Sequence, residues 1–241
     1  MIKNKNRFGL SRNIPEEVKR QVRKRCGFGC VICGSFIFEY EHIKPEFHEA
    51  KSHDPDKITL LCPTCHSKVT KGLLSKKEVE EHNKNPFCKS ANASETFLEN
   101  AKNMHEIIFA GTTIKNCPKP IVVKDLPLIK IDKNEEGIFL LSANFFNSKG
   151  IKSLEIVENE WIINSNNWDF ECKGNQMTIR DEKGLISLKL EINPPDTLIV
   201  KKVNMYLYNY HFIGNDKELF INGSKFSGVI IDNCEIGFKL N

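Results

Sequence analysis

Nowhere in the 241 residues does an apolar run approach the roughly 18–20 residues that a membrane-spanning helix needs, so no helical membrane anchor is expected. The basic start, Met1 to Arg7, is followed by no apolar core, so a secretory signal peptide is not expected either. No strict internal repeat is present that would decide between a sandwich and a solenoid-like stack for the strand-rich part of the chain. Tryptophan is scarce, and the two that occur, Trp161 and Trp168, lie among strand patterns and read as core residues. Also missing is the composition of a disordered chain: 40% of residues are hydrophobic and 27% charged, which is ordinary for a globular protein. The length suits one large domain or two small ones. Cysteine is not scarce, but its nine copies are an odd number without a disulfide-framework spacing, so a reducing cytoplasm is the expected location.

The formal net charge of +4 conceals an asymmetry. Residues 1–90 carry 18 Lys and Arg against 11 Asp and Glu, whereas residues 91–241 carry 17 against 20. Most of the excess lies in residues 1–25. There, Pro15-Glu16-Glu17 reads as a first helical turn, and Ile14, Val18 and Val22 share one face. Lys19, Arg20, Arg23 and Lys24 fill much of the remaining surface, so the helix is expected to face its apolar side inward and a phosphate-binding side outward.

The strongest signal is the pair Cys30-Val-Ile-Cys33 and Cys62-Pro-Thr-Cys65, two Cys-x-x-Cys units separated by 28 residues. That spacing is the pattern of a tetrahedral thiolate zinc site. Cys26 is a competing ligand, but the paired spacing favours Cys30 and Cys33. Four thiolates close the coordination sphere of Zn²⁺, so the ion is structural and any chemistry must come from groups placed around it. Glu41, His42 and His66 are those groups. A carboxylate and an imidazole can hold a divalent cation that keeps open positions, and a second imidazole can deprotonate water. Lys68 and Lys71 follow His66 and are candidates for phosphate contact.

Taken together, Arg25 to Gly34, Glu41-His42-Ile43-Lys44-Pro45 and Leu60 to His66 resemble the HNH endonuclease family over about residues 14–75. The resemblance implies a ββα-metal fold braced by a four-cysteine zinc. It makes His42 the general base, with Glu41 and His66 holding Mg²⁺ or another catalytic divalent cation. One position departs: the family's middle asparagine is here Lys57. A lysine keeps a backbone-carbonyl contact but no amide side chain, and its charge suits phosphate. His53, four residues earlier, is a candidate replacement, so His53 and Lys57 are both auxiliary site residues.

The expected architecture is α+β. Residues 1–85 form the zinc-braced module with its basic helix, 86–103 a linker, and 104–241 an all-β domain. That domain is expected to be sandwich-like, or alternatively solenoid-like, from recurring short apolar runs punctuated by Asn, Gly and Pro turns. The functional expectation is a metal-dependent endonuclease acting on DNA, with the β domain selecting the target, binding a protein partner or self-associating. The alternative is a non-catalytic, zinc-braced nucleic-acid-binding module. A toxin-type nuclease delivered to other cells is a third reading, which nothing in the sequence requires.

Overall fold

A computed structural model describes residues 5–98, 106–193 and 197–241. They divide into two compact units, one reaching Thr96 and the other starting at Phe97. No helix among the described residues is long and apolar enough to cross a membrane.

The first unit begins with α1 (Glu16–Cys26), β1 (Glu39–His42), a 3-10 turn (Pro55–Lys57), β2 (Ile58–Leu61) and α2 (Pro63–Thr70). It continues through α3 (Lys76–Lys84), α4 (Phe87–Ala91) and β3 (Ala93–Phe97), the last of which ends at the unit boundary. β1 and β2 pair antiparallel, with Glu41 opposite Thr59 and His42 opposite Ile58, and α2 follows directly. This is the expected ββα arrangement. Ile14, Val22, Val31, Ile58, Leu60, Leu61 and Val79 form its core together with Cys26, Cys30, Cys62 and Cys65. The Ser75–Glu78 capping box opens α3.

Residues 86–97 correct the expected linker. They form α4 and β3, and the Cys88 side chain is fully buried against Gly27, Gly29 and Gly34. Polar composition concealed this, because one buried side chain in a short helix leaves no periodic pattern. The remainder of that linker, from residue 99, lies outside the described residues.

The second unit is all β. Its strands are β4 (Glu106–Phe109), β5 (Thr112–Lys115), β6 (Lys119–Val123), β7 (Leu126–Lys133), β8 (Phe139–Phe146), β9 (Lys152–Val157) and β10 (Glu160–Asn164). They continue with β11 (Asp169–Lys173), β12 (Gln176–Glu182), β13 (Leu185–Asn193), β14 (Thr197–Leu207) and β15 (Tyr210–Gly214). The last four are β16 (Glu218–Ile221), β17 (Ser224–Ser227), β18 (Ile230–Asp232) and β19 (Ile236–Leu240). One open sheet runs β19-β6-β7-β8-β9-β10 and another runs β11 to β17 in sequence order. Neighbours in sequence pair antiparallel, whereas β19 on β6, β18 on β5 and β4 on β14 are parallel. Alternate residues are buried along β8 and β14, the period of a sheet with one covered face. Asn116, Asn159, Asn222 and Asn233 take positive φ at turns, a conformation that asparagine tolerates better than most side chains. Trp161 is buried as expected, and Trp168 is half-buried.

Candidate metal centre and active site

The sequence turns sharply between α1 and the first cysteine pair. Gly27 ends α1 in the left-handed region at φ 73°, and Phe28 follows at φ 68° with its ring fully buried. At Gly29 a Cβ would lie 2.4 Å from the Gly34 carbonyl oxygen, so only glycine fits there. The knuckle is closed by Gly34 N–H donating to Cys30 O (2.9 Å), and Val31 N–H donates to Leu60 O (3.0 Å), tying it to β2. On the other side Cys62 caps α2, its Sγ accepting from Cys65 N–H at 3.3 Å.

These turns bring the ligand atoms of Cys30, Cys33, Cys62 and Cys65 within 4.8 Å of one another, with Cys33 Sγ 3.6 Å from Cys62 Sγ. Zinc–sulfur bonds of about 2.3 Å in a tetrahedron place the sulfurs about 3.8 Å apart, so the cluster fits a zinc site. In the metal-free cluster the hydrogen bond between Cys33 and Cys30 holds the Cys30 thiol below its ordinary value and the Cys33 thiol above it, the mark of sulfurs close enough to share a proton. Cys26 is buried beside the cluster but stands outside the group of four.

Glu41 and His66 meet across the ββα unit. Glu41 leaves β1 and His66 rises from the first turn of α2, and Oε2 of Glu41 lies 3.3 Å from His66 Nε2. Two donors at right angles on an ion about 2.1 Å away would be about 3 Å apart, so this pair can share a divalent cation. Both side chains are partly open, at 42% and 38% exposure, so a cation there would retain room for other ligands.

His42 turns elsewhere. It is only 8% exposed, its ring centroid lies 5.4 Å from that of Phe47, and its Nε2 lies 3.2 Å from His53 Nδ1. Burial, reinforced by the neighbouring His53, lowers its pKa and favours the neutral ring. Adjacent residues of a strand face opposite sides, which is why Glu41 and His42 have different neighbours, and β1 ends at His42. Beyond it, Ile43 N–H donates to the Lys57 carbonyl at 2.8 Å. The lysine at the departed position thus retains a backbone contact, and its side chain is exposed.

Arg23 requires a correction. Expected on the outward basic face, it is buried (2% exposed) and donates to the Tyr40 hydroxyl at 2.8 Å. The helix turns this residue toward β1 because its aliphatic stem packs as an apolar group while the guanidinium finds a hydroxyl. Lys19 and Arg20 are bonded to Glu16 and Glu17 one turn earlier, and Lys24 lies over the Phe28 ring. Lys68 and Lys71 are exposed near His66. His48 is exposed among Glu46 and Glu49, away from the histidine pair.

Sequence reasoning missed the part played by the N-terminal arm. Asn6 Nδ2 donates to the carbonyls of Phe47 and Ala50 at 2.6 Å each, Arg12 stacks over the Phe47 ring at 4.8 Å, and Ser11 O lies 2.9 Å from His53 Nε2. No spacing rule could have found contacts between residues about forty positions apart.

The family model described as HNH endonuclease matches residues 30–72. Neither a curated protein nor a solved structure matches the chain. Over residues 30–72 the four clustered cysteines and the ββα arrangement fit the zinc-braced form of that family.

Proposed function

We propose that the first unit is a metal-dependent endonuclease module that hydrolyses DNA phosphodiester bonds. The observation that carries this reading is the approach of Glu41 and His66 to 3.3 Å, with His42, buried and neutral-leaning, following Glu41 in the chain at the end of β1. Glu41 and His66 would hold the cation, which offsets charge on the scissile phosphate and the departing oxygen. His42 takes a proton from the attacking water, a task that needs an unprotonated ring near neutral pH. The zinc clip holds the two strands and α2 in register, so the three side chains come from elements locked to one another. Lys57, Lys68 and Lys71 are exposed and supply phosphate contacts.

Phosphate contacts position a nucleic acid without reading its sequence. Target selection or partner recognition is therefore assigned to the β unit. The non-catalytic binding module draws its support from Lys57, but the Ile43–Lys57 backbone bond keeps the loop after His42 closed, which favours the enzyme.

The test is plasmid nicking by the full chain with EDTA or with added Mg²⁺ or Mn²⁺, alongside His42→Ala. Metal-dependent nicking lost in the variant, with one zinc and DNA binding retained, supports the nuclease. Equal behaviour of both proteins refutes it in favour of the binding module.

A further inference from the structure

His42 does not stand alone. Its Nε2 meets His53 Nδ1 at 3.2 Å, and His53 Nε2 meets the Ser11 carbonyl oxygen at 2.9 Å. A carbonyl oxygen can only accept, so the proton of a neutral His53 belongs on Nε2. Nδ1 of His53 is then a bare acceptor, and the hydrogen between the two rings must come from His42 Nε2. A neutral His42 with its proton on Nε2 has its lone pair on Nδ1. The opposite arrangement would set the His53 lone pair against the Ser11 oxygen.

We infer that His53, held by the carbonyl of Ser11, is a positioning residue that fixes His42 as its Nε2–H tautomer and keeps Nδ1 as the basic nitrogen. In the nuclease reading, on which this last step rests, a proton passes from water to Nδ1 and gives an imidazolium. The water oxygen forms the new bond to phosphorus as the bond to the leaving oxygen breaks. The N-terminal arm is then part of the site, since Asn6 ties it to the loop at Phe47 and Ala50, and the Phe47 ring packs on His42. The arm also holds Ser11 O at the end of the relay, its own fold pinned by Asn6 Oδ1 accepting from Leu10 N–H.

The experiment is long-range ¹H–¹⁵N spectroscopy of the zinc-loaded full chain with ¹⁵N-labelled histidine, at about pH 8, where an ordinary imidazole is neutral. It is run on the wild type, His53→Leu, His53→Asn and Asn6→Ala, with plasmid nicking beside it. The wild type should show His42 with a pyrrole-type Nε2 and a pyridine-type Nδ1. In His53→Leu that pattern should be lost, and kcat should fall about 10–100-fold with KM nearly unchanged and zinc retained. His53→Asn places an amide oxygen near the former Nδ1 and should recover most of both signals. Asn6→Ala should shift both in the same direction as His53→Leu but less far.

A wild-type His42 protonated on Nδ1, or a tautomer unaltered in a folded His53→Leu, overturns the relay while leaving the nuclease standing. The expected tautomer in a protein that cleaves nothing supports the relay and refutes the nuclease reading. Loss of activity in His53→Asn equal to that in His53→Leu, with the Nε2–H tautomer kept, also refutes positioning through the acceptor.

Discussion

Removing zinc from the Cys30–Cys33–Cys62–Cys65 clip is expected to unfold the first unit rather than loosen one loop. Three of the four ligands, Cys30, Cys62 and Cys65, belong to the same buried cluster as Val22, Val31, Ile58, Leu60 and Leu61. The knuckle also carries the Val31–Leu60 bond that joins it to β2, and the Cys62 cap starts α2. Structural zinc in small domains contributes about 10–16 kcal/mol near neutral pH. A whole domain has a net stability of only about 5–15 kcal/mol. The metal's contribution is therefore as large as the margin it supports, and four thiols facing one another at 3.6–4.8 Å provide no substitute. The helices of the described chain all lie in the first unit, whereas the second is strands alone. A high-affinity chelator should therefore abolish the helical far-ultraviolet circular dichroism while the sheet signal persists, and added zinc should restore it. Limited proteolysis of the chelated protein should cut widely before residue 97 and spare the strands beyond. A zinc-free protein that keeps its helical signal and its protease resistance would refute the reasoning.

Arg23→Ala should cost about 1–3 kcal/mol, because it removes the buried bond from the guanidinium to the Tyr40 hydroxyl; a thermal melt measures it, and DNA affinity should change less than in Lys68→Ala. Cys117 and Cys234 lie with their Sγ atoms 3.1 Å apart between strand pairs at the start and end of the second unit. Oxidised glutathione should convert these two thiols to a disulfide while being reduced itself. The reaction should be slow, because burial holds the Cys117 thiol up at about 12, and non-reducing peptide mapping detects the product. Closing a loop of that length adds about 4–5 kcal/mol in the chain-entropy view, readable as a raised Tm that Cys117→Ser does not show. Glu191 has its pKa lowered by the Lys201 ammonium first and by Gln176. A carboxylate depressed in the folded state stabilises above its unfolded pKa, and that contribution disappears as pH falls through the folded value. Glu191→Gln should therefore flatten the stability profile of the second unit below about pH 4.5 and leave it unaltered if the contact is only incidental.

What the sequence alone determined is local or is carried by residue type. Two Cys-x-x-Cys units announce zinc because ligation depends on few atoms at short spacing, and the capping box at Ser75 is legible for the same reason. Glu41, His42 and His66 were identifiable as a chemical set, and the β texture past residue 104 follows from alternation, which each strand carries within itself. Tertiary structure alone decided which partners these groups meet. Arg23 shares a helix surface with Lys24 in any periodic reading, yet packing turns it onto Tyr40, so its charge is lost to the outer surface. His53 is legible in the sequence only as a candidate auxiliary residue, and its partner Ser11, forty-two positions away, comes to its far nitrogen through the fold alone. The sheet pairings of β19 with β6 and β18 with β5 join the two ends of the second unit, contacts that no window of neighbouring residues contains. Such long-range choices are made by burial and hydrogen-bond satisfaction over the folded unit, and those quantities do not exist until the chain has closed on itself.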